Sequence, residues 1–88
     1  MTRRSRYRVT LSGEPLAAGT LQEAQQAAMQ AITGLLAQDP EGVAPSAQQA
    51  NSAFQQGAVQ RAVDDHGEWK CPLWVHGQVH TLRVTKES

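Results

Sequence analysis

The stretch Glu68–Thr85, EWKCPLWVHGQVHTLRVT, decides how this chain folds. Two runs of alternating residues flank His76-Gly77-Gln78. A glycine there predicts a tight hairpin turn, either His76-Gly77 as type I′ or Gly77-Gln78 as type II′. Strand side chains alternate between faces, and both turns share one parity, so the facing is the same for either. One face carries Trp69, Cys71, Leu73 and Val75 with His80, Leu82 and Val84. The other carries Lys70, Pro72 and Trp74 with Val79, Thr81, Arg83 and Thr85. The first set is the core side. The second is polar and basic with one large aromatic in it. Pro72 has no N–H to give to a ladder, which predicts an edge or a bulge there and makes Val79–Thr85 the interior strand.

Before the hairpin, Asp64-Asp65-His66-Gly67 reads as a turn. Ser46, with Gln49 three residues later, has a capping-box pattern and predicts a helix to about Val63, after a loop over Glu41–Pro45. The best face of that helix is Ala47, Ala50, Phe54, Ala58 and Ala62, with Gly57 beside it. Only Phe54 is large, and small neighbours let helix axes approach closely, so this face is expected on the first helix. Val59 and Val63 fall off the stripe, toward the sheet. The first helix is announced by Thr20-Leu21-Gln22-Glu23, another capping box. It runs to about Gln38, because the residue before Pro40 is pushed out of the α region. At 100° per residue Leu21, Ala24, Ala28, Met29, Ala31, Ile32, Leu35 and Leu36 share one arc, with Gln25 the polar exception.

Near the N-terminus, Arg6–Ser12 alternates as a half-buried strand with Tyr7, Val9 and Leu11 inward. Gly13-Glu14-Pro15 reads as a turn, and Leu16-Ala17-Ala18 as a short return strand with Leu16 opposite Leu11. The fold expected is α+β: an antiparallel sheet of three or four strands with an αα-hairpin on one face, in the order β(β)ααββ. Without the return strand, Arg6–Ser12 and Val79–Thr85 would run parallel. Residues 1–5 are expected as a disordered basic tail and 6–88 as one domain.

A chain of 88 residues makes one small domain with a thin core. Its formal net charge of zero gives no global field toward nucleic acid or membrane. One cysteine excludes an intramolecular disulfide and a multi-cysteine zinc site, and agrees with a reducing compartment. Arg3–Arg8 is followed by VTLSGEP, too short and polar for a signal-peptide core. A cytoplasmic location without membrane association is the expectation.

The residues that could carry chemistry do not assemble into a reaction centre. Asp64, Asp65 and His66 are adjacent, and His76 and His80 are close in sequence, but no metal-ligand spacing is present. Cys71 sits mid-strand on the core face, where a free thiol behaves as a small hydrophobe. No phosphate-binding glycine loop and no nucleophile elbow occurs, and no pair of carboxylates is set in an apolar pocket. The expectation is a protein that is not an enzyme and uses no cofactor or metal.

What stands out is the outer sheet face. Arg6, Arg8, Lys70 and Arg83, with Lys86 a further candidate, would share a surface with Trp74, Thr10 and Thr81. The plain reading is a solvated face whose arginine stems cover Trp74. The functional reading takes Arg6, Arg8, Lys70, Trp74 and Arg83 as a binding site, its cations uncompensated except near Glu68. An acidic protein surface would fit it, and so would single-stranded nucleic acid, with phosphates on the cations and a base on the ring. Both helices carry glutamine where charge is usual, which suits a partner or a second copy. The function expected is a small non-catalytic interaction domain, self-associating and contacting a protein partner, with single-stranded nucleic-acid binding as the alternative.

Overall fold

The computed structural model describes residues 6–87, the side chain of Glu87 excepted; the expected basic tail lies outside this range. The elements are β1 (Arg6–Leu11), β2 (Glu14–Gly19), α1 (Leu21–Gln38), α2 (Pro40–Gln55), α3 (Ala58–His66), β3 (Glu68–Val75) and β4 (Gln78–Glu87). The four strands form one antiparallel sheet in the order β2-β1-β4-β3. The α+β class and the ββααββ plan therefore hold, with the second helix broken in two.

The hairpin forms with Val75 opposite Gln78. His76 and Gly77 both take positive φ, 48° and 80°, as a type I′ turn requires. Leu73 and Leu82 are fully buried while Lys70 and Arg83 are exposed, as parity demands. Trp69, on the same side as Leu73, is only half buried. It stands at the rim, its ring meeting Phe54 edge-on with centroids 5.6 Å apart. β3 is an edge strand. In a two-residue hairpin the residues flanking the turn form a hydrogen-bonded pair, and pair types alternate from there. Position 72 therefore falls where the backbone faces outward, and Pro72 costs the ladder nothing.

The first hairpin corrects the expected register. The turn is Ser12-Gly13, with φ of 51° and 84°, and Leu11 pairs with Glu14. Gly13-Glu14-Pro15 is not the turn, and Leu16 is not opposite Leu11. A bulge between Val9 and Thr10 lets Val9 pair with Ala17 and Thr10 with Pro15, and Leu16 is left 40% exposed. The extra residue resets the alternation of β2. By the same count from the turn, Pro15 also faces outward, so both edges of the sheet carry a proline where a free donor would stand.

The helices cover one sheet face. α1 starts with the complete capping box: the Thr20 hydroxyl accepts from the Glu23 amide, and the Glu23 carboxylate accepts from the Thr20 amide. Its stripe of Ala24, Ala28, Ile32 and Leu35 is buried. The second helix does not start at Ser46. It starts at Pro40, with Asp39 as cap, because proline is preorganised for the first helical position and the Asp39 carboxylate accepts from the Gly42 amide. Pro45 lies within this helix. Nor does the helix run unbroken to Val63. Gly57 turns left-handed at φ 77° and separates α3, which redirects Val59 and Val63 into full burial. Asp64, Asp65 and His66 form the last turn of α3, closed by Gly67. α3 packs on β3 and β4, whereas α2 packs on α1 and β3. Tyr7, Val9, Ile32, Val43, Phe54, Leu73, Leu82 and Val84 belong to a single core between the two layers.

Candidate functional site

Among the described residues no layer covers the other sheet face, and the register orders its side chains into rows. Glu68, Thr85, Arg8 and Ala18 make one row. Lys70, Arg83, Thr10 and Pro15 make the next. Pro72 and Thr81 follow, with Ser12 donating its amide to the Thr81 carbonyl at 2.9 Å. The last row, beside the hairpin turn, is Trp74 and Val79. Each of these two is 48% exposed, and they are direct cross-strand neighbours. Two large apolar groups side by side on an open sheet make an unusual surface for a chain with so small a core.

Parity put Arg6, Arg8, Lys70, Trp74 and Arg83 on one face, and they are there. The register separates them. Lys70 and Arg83 are direct partners, but Trp74 lies four residues further along β3, about 13 Å away. Arg8 is one row beyond Lys70, and Arg6 sits opposite Glu87 at the far end. The stems of the arginines therefore do not roof Trp74. Lys86 is not on this face. It pairs with Tyr7 in the register, on the helix side, and its ammonium lies 3.3 Å from the Asp64 carboxylate of α3.

Nor is the basic cluster uncompensated. Glu68 bridges it, one carboxylate oxygen 3.2 Å from the Lys70 ammonium and the other taking a hydrogen bond from the Arg83 guanidinium. The Arg83 hydrogen bond first, and the Lys70 one second, hold the Glu68 carboxyl below its ordinary range. Arg6 and Arg8 have interaction partners as well. A bridge of this kind relieves the repulsion between Lys70 and Arg83, which face each other directly. Both cations still have side chains about half open to solvent, 57% and 51%.

Across the second and third rows lies a shallow depression of about 330 Å³, lined by Thr10, Ser12, Gly13, Lys70, Thr81 and Arg83. Its lining thus includes two cationic residues and three that carry hydroxyls. Sequence reasoning missed Ser12 and Gly13 in this group and underrated Glu68. The signal was present: with the type I′ turn fixed, Glu68 sits diagonally from Arg83 on the same face, within reach of a long side chain.

Of the other candidates, only His80 touches a residue of this depression. Cys71 is buried, its thiol 3.7 Å from the Ser46 carbonyl, and burial pushes its pKa up. That is the opposite of what an activated nucleophile needs. The Ser12 hydroxyl is 3.4 Å from His80 Nδ1, a long contact at an exposed rim. Among the described residues no group of three or more His, Cys, Asp or Glu is placed to hold a metal ion. No helix among them is long and apolar enough to cross a membrane. Comparison with family models, with curated proteins and with solved structures finds no match.

Proposed function

We propose that this protein is a non-catalytic interaction domain of the cytoplasm that contacts a protein partner through the outer face of its sheet. The observation that supports this reading is the Trp74–Val79 pair. Two apolar side chains stand half exposed and adjacent, next to Pro72, on a rigid strand pair whose opposite face is the core. Tryptophan on a rigid element loses little conformational freedom on contact and brings a large area, which is why it anchors interfaces. Both edges carry outward-facing prolines, so pairing by strand addition is disfavoured and the face, rather than the edge, is the contact surface. The buried free thiol of Cys71 suits a reducing compartment.

Self-association would use a different surface. α1 exposes Gln22, Gln26 and Gln30, which with Gln25 and Met29 line an uncharged hollow of about 530 Å³. Such a surface loses less hydration on contact than a charged one.

The reading is tested by in-cell photo-crosslinking, with the reactive side chain placed at Val79 and, as a control, at Gln48, exposed on the helical layer. A discrete protein adduct from position 79 that is absent from position 48 is the expected result. The same adducts from both positions would refute it, and so would crosslinks to nucleic acid alone.

A further inference from the structure

We infer that the partner presents a carboxylate to the Lys70–Arg83 depression and an apolar side chain to Trp74 and Val79, so that an extended acidic segment lies along the β3–β4 hairpin. This rests on the outer face being the contact surface, and it specifies the chemistry of what docks there.

Three observations carry it. The depression is lined by two cationic residues, Lys70 and Arg83, and by the hydroxyl-bearing Thr10, Ser12 and Thr81, residue types suited to a small anionic group. Glu68 shows the kind of anion the two cations accept, because its carboxylate pairs with both. Glu68 provides one negative charge against two positive ones, so the trio keeps one net positive charge, and its exposed ion pairs are easily shared or displaced. Finally, the apolar row lies two rows from the cation row, about 13 Å along the strands. In an extended peptide that distance separates residues i and i+4, which point the same way.

A protein segment fits better than a single-stranded nucleic acid. Nucleic acid needs cations that track a backbone and rings that stack successive bases. Here one aromatic is paired with a valine, a carboxylate lies among the cations, and the chain carries no net charge.

The test uses the whole protein and three acetylated nine-residue Gly/Ser peptides carrying one Glu followed by one Phe at i+2, i+4 or i+6. Binding is read from amide chemical shifts. The i+4 peptide should bind about tenfold more tightly than the others, and Arg83→Gln should weaken it about tenfold. Glu68→Gln should strengthen it severalfold, because the internal competitor is gone. A purely structural role for Glu68 would give no gain. Equal affinity for all spacings, an unchanged or weaker Glu68→Gln complex, no saturable shifts at millimolar peptide, or tighter binding of oligothymidine would each overturn the inference. If the adduct from position 79 forms and needs Trp74 while Arg83→Gln changes nothing, the interaction face stands and the acidic segment falls. If no specific adduct forms from position 79, both fall.

Discussion

Gly42 lies against the backbone of Trp74: a Cβ at position 42 would stand 2.7 Å from the Trp74 carbonyl oxygen. The first turn of α2 thus meets the edge strand that carries the exposed tryptophan, and only a residue without a side chain permits the approach. Gly42→Ala should destabilise by roughly 1–3 kcal/mol, the usual range for overpacking, because the Cβ would press on both that carbonyl and the Asp39 carboxylate. Denaturant unfolding measures this, and an unchanged midpoint would show that the helix can slide away.

Asp39 joins the same corner. Its carboxylate accepts from the amides of His76, at 2.9 Å, and Gly42, at 3.3 Å, tying the hairpin turn to the start of α2. The His76 bond first, then the Gly42 bond, hold its pKa below the ordinary aspartate value. A depressed folded-state pKa gives stability that is present above the unfolded value, near 3.8, and is lost as pH falls through the folded one. Wild type should therefore melt higher than Asp39→Asn at pH 7, and the gap should close as pH falls below about 4. A gap independent of pH would assign the effect to geometry and not to charge.

Phe54 anchors α2. It is 7% exposed, and its ring meets Trp69 edge-on. Phe54→Ala should cost about 3–5 kcal/mol and change the fluorescence of Trp69. A midpoint equal to wild type would mean that the helix is held by Val43 and its alanines without the ring.

Pro72 guards an edge. Pro72→Thr restores an outward amide on β3 and should leave the fold intact while producing concentration-dependent oligomers in sedimentation velocity. A strictly monomeric variant, from a monomeric parent, would show that the edge is protected by something else.

The hairpin and the first helix were legible because local chemistry settles them: a glycine at the turn, strict alternation, a capping box and a proline stop. α2 was not, because Pro40 and Pro45 read as loop signals. Pro40 suits the first helical position behind the Asp39 cap, whose carboxylate is also fixed by His76, 37 residues away, whereas Pro45 lies inside the helix, where proline is ordinarily a breaker. Gly57 read as one more small residue on a packing stripe, and its left-handed φ is a tertiary outcome. The bulge at Val9 likewise could not be seen in Leu16-Ala17-Ala18. For the outer face, parity gave its membership, but only the paired register gave its spacing. That spacing divides one supposed cluster into a bridged ionic trio and a separate apolar pair.

Trp74, by this reading, serves contact and not folding. Trp74→Ala, with a photo-crosslinking side chain at Val79, addresses it in one protein. The melting temperature should stay within about a degree or two of the same protein with Trp74 intact, as for an exposed surface residue, while the partner adduct is lost. A fall of many degrees would make Trp74 a structural residue, and an adduct that survives the substitution would contradict its role as the anchor.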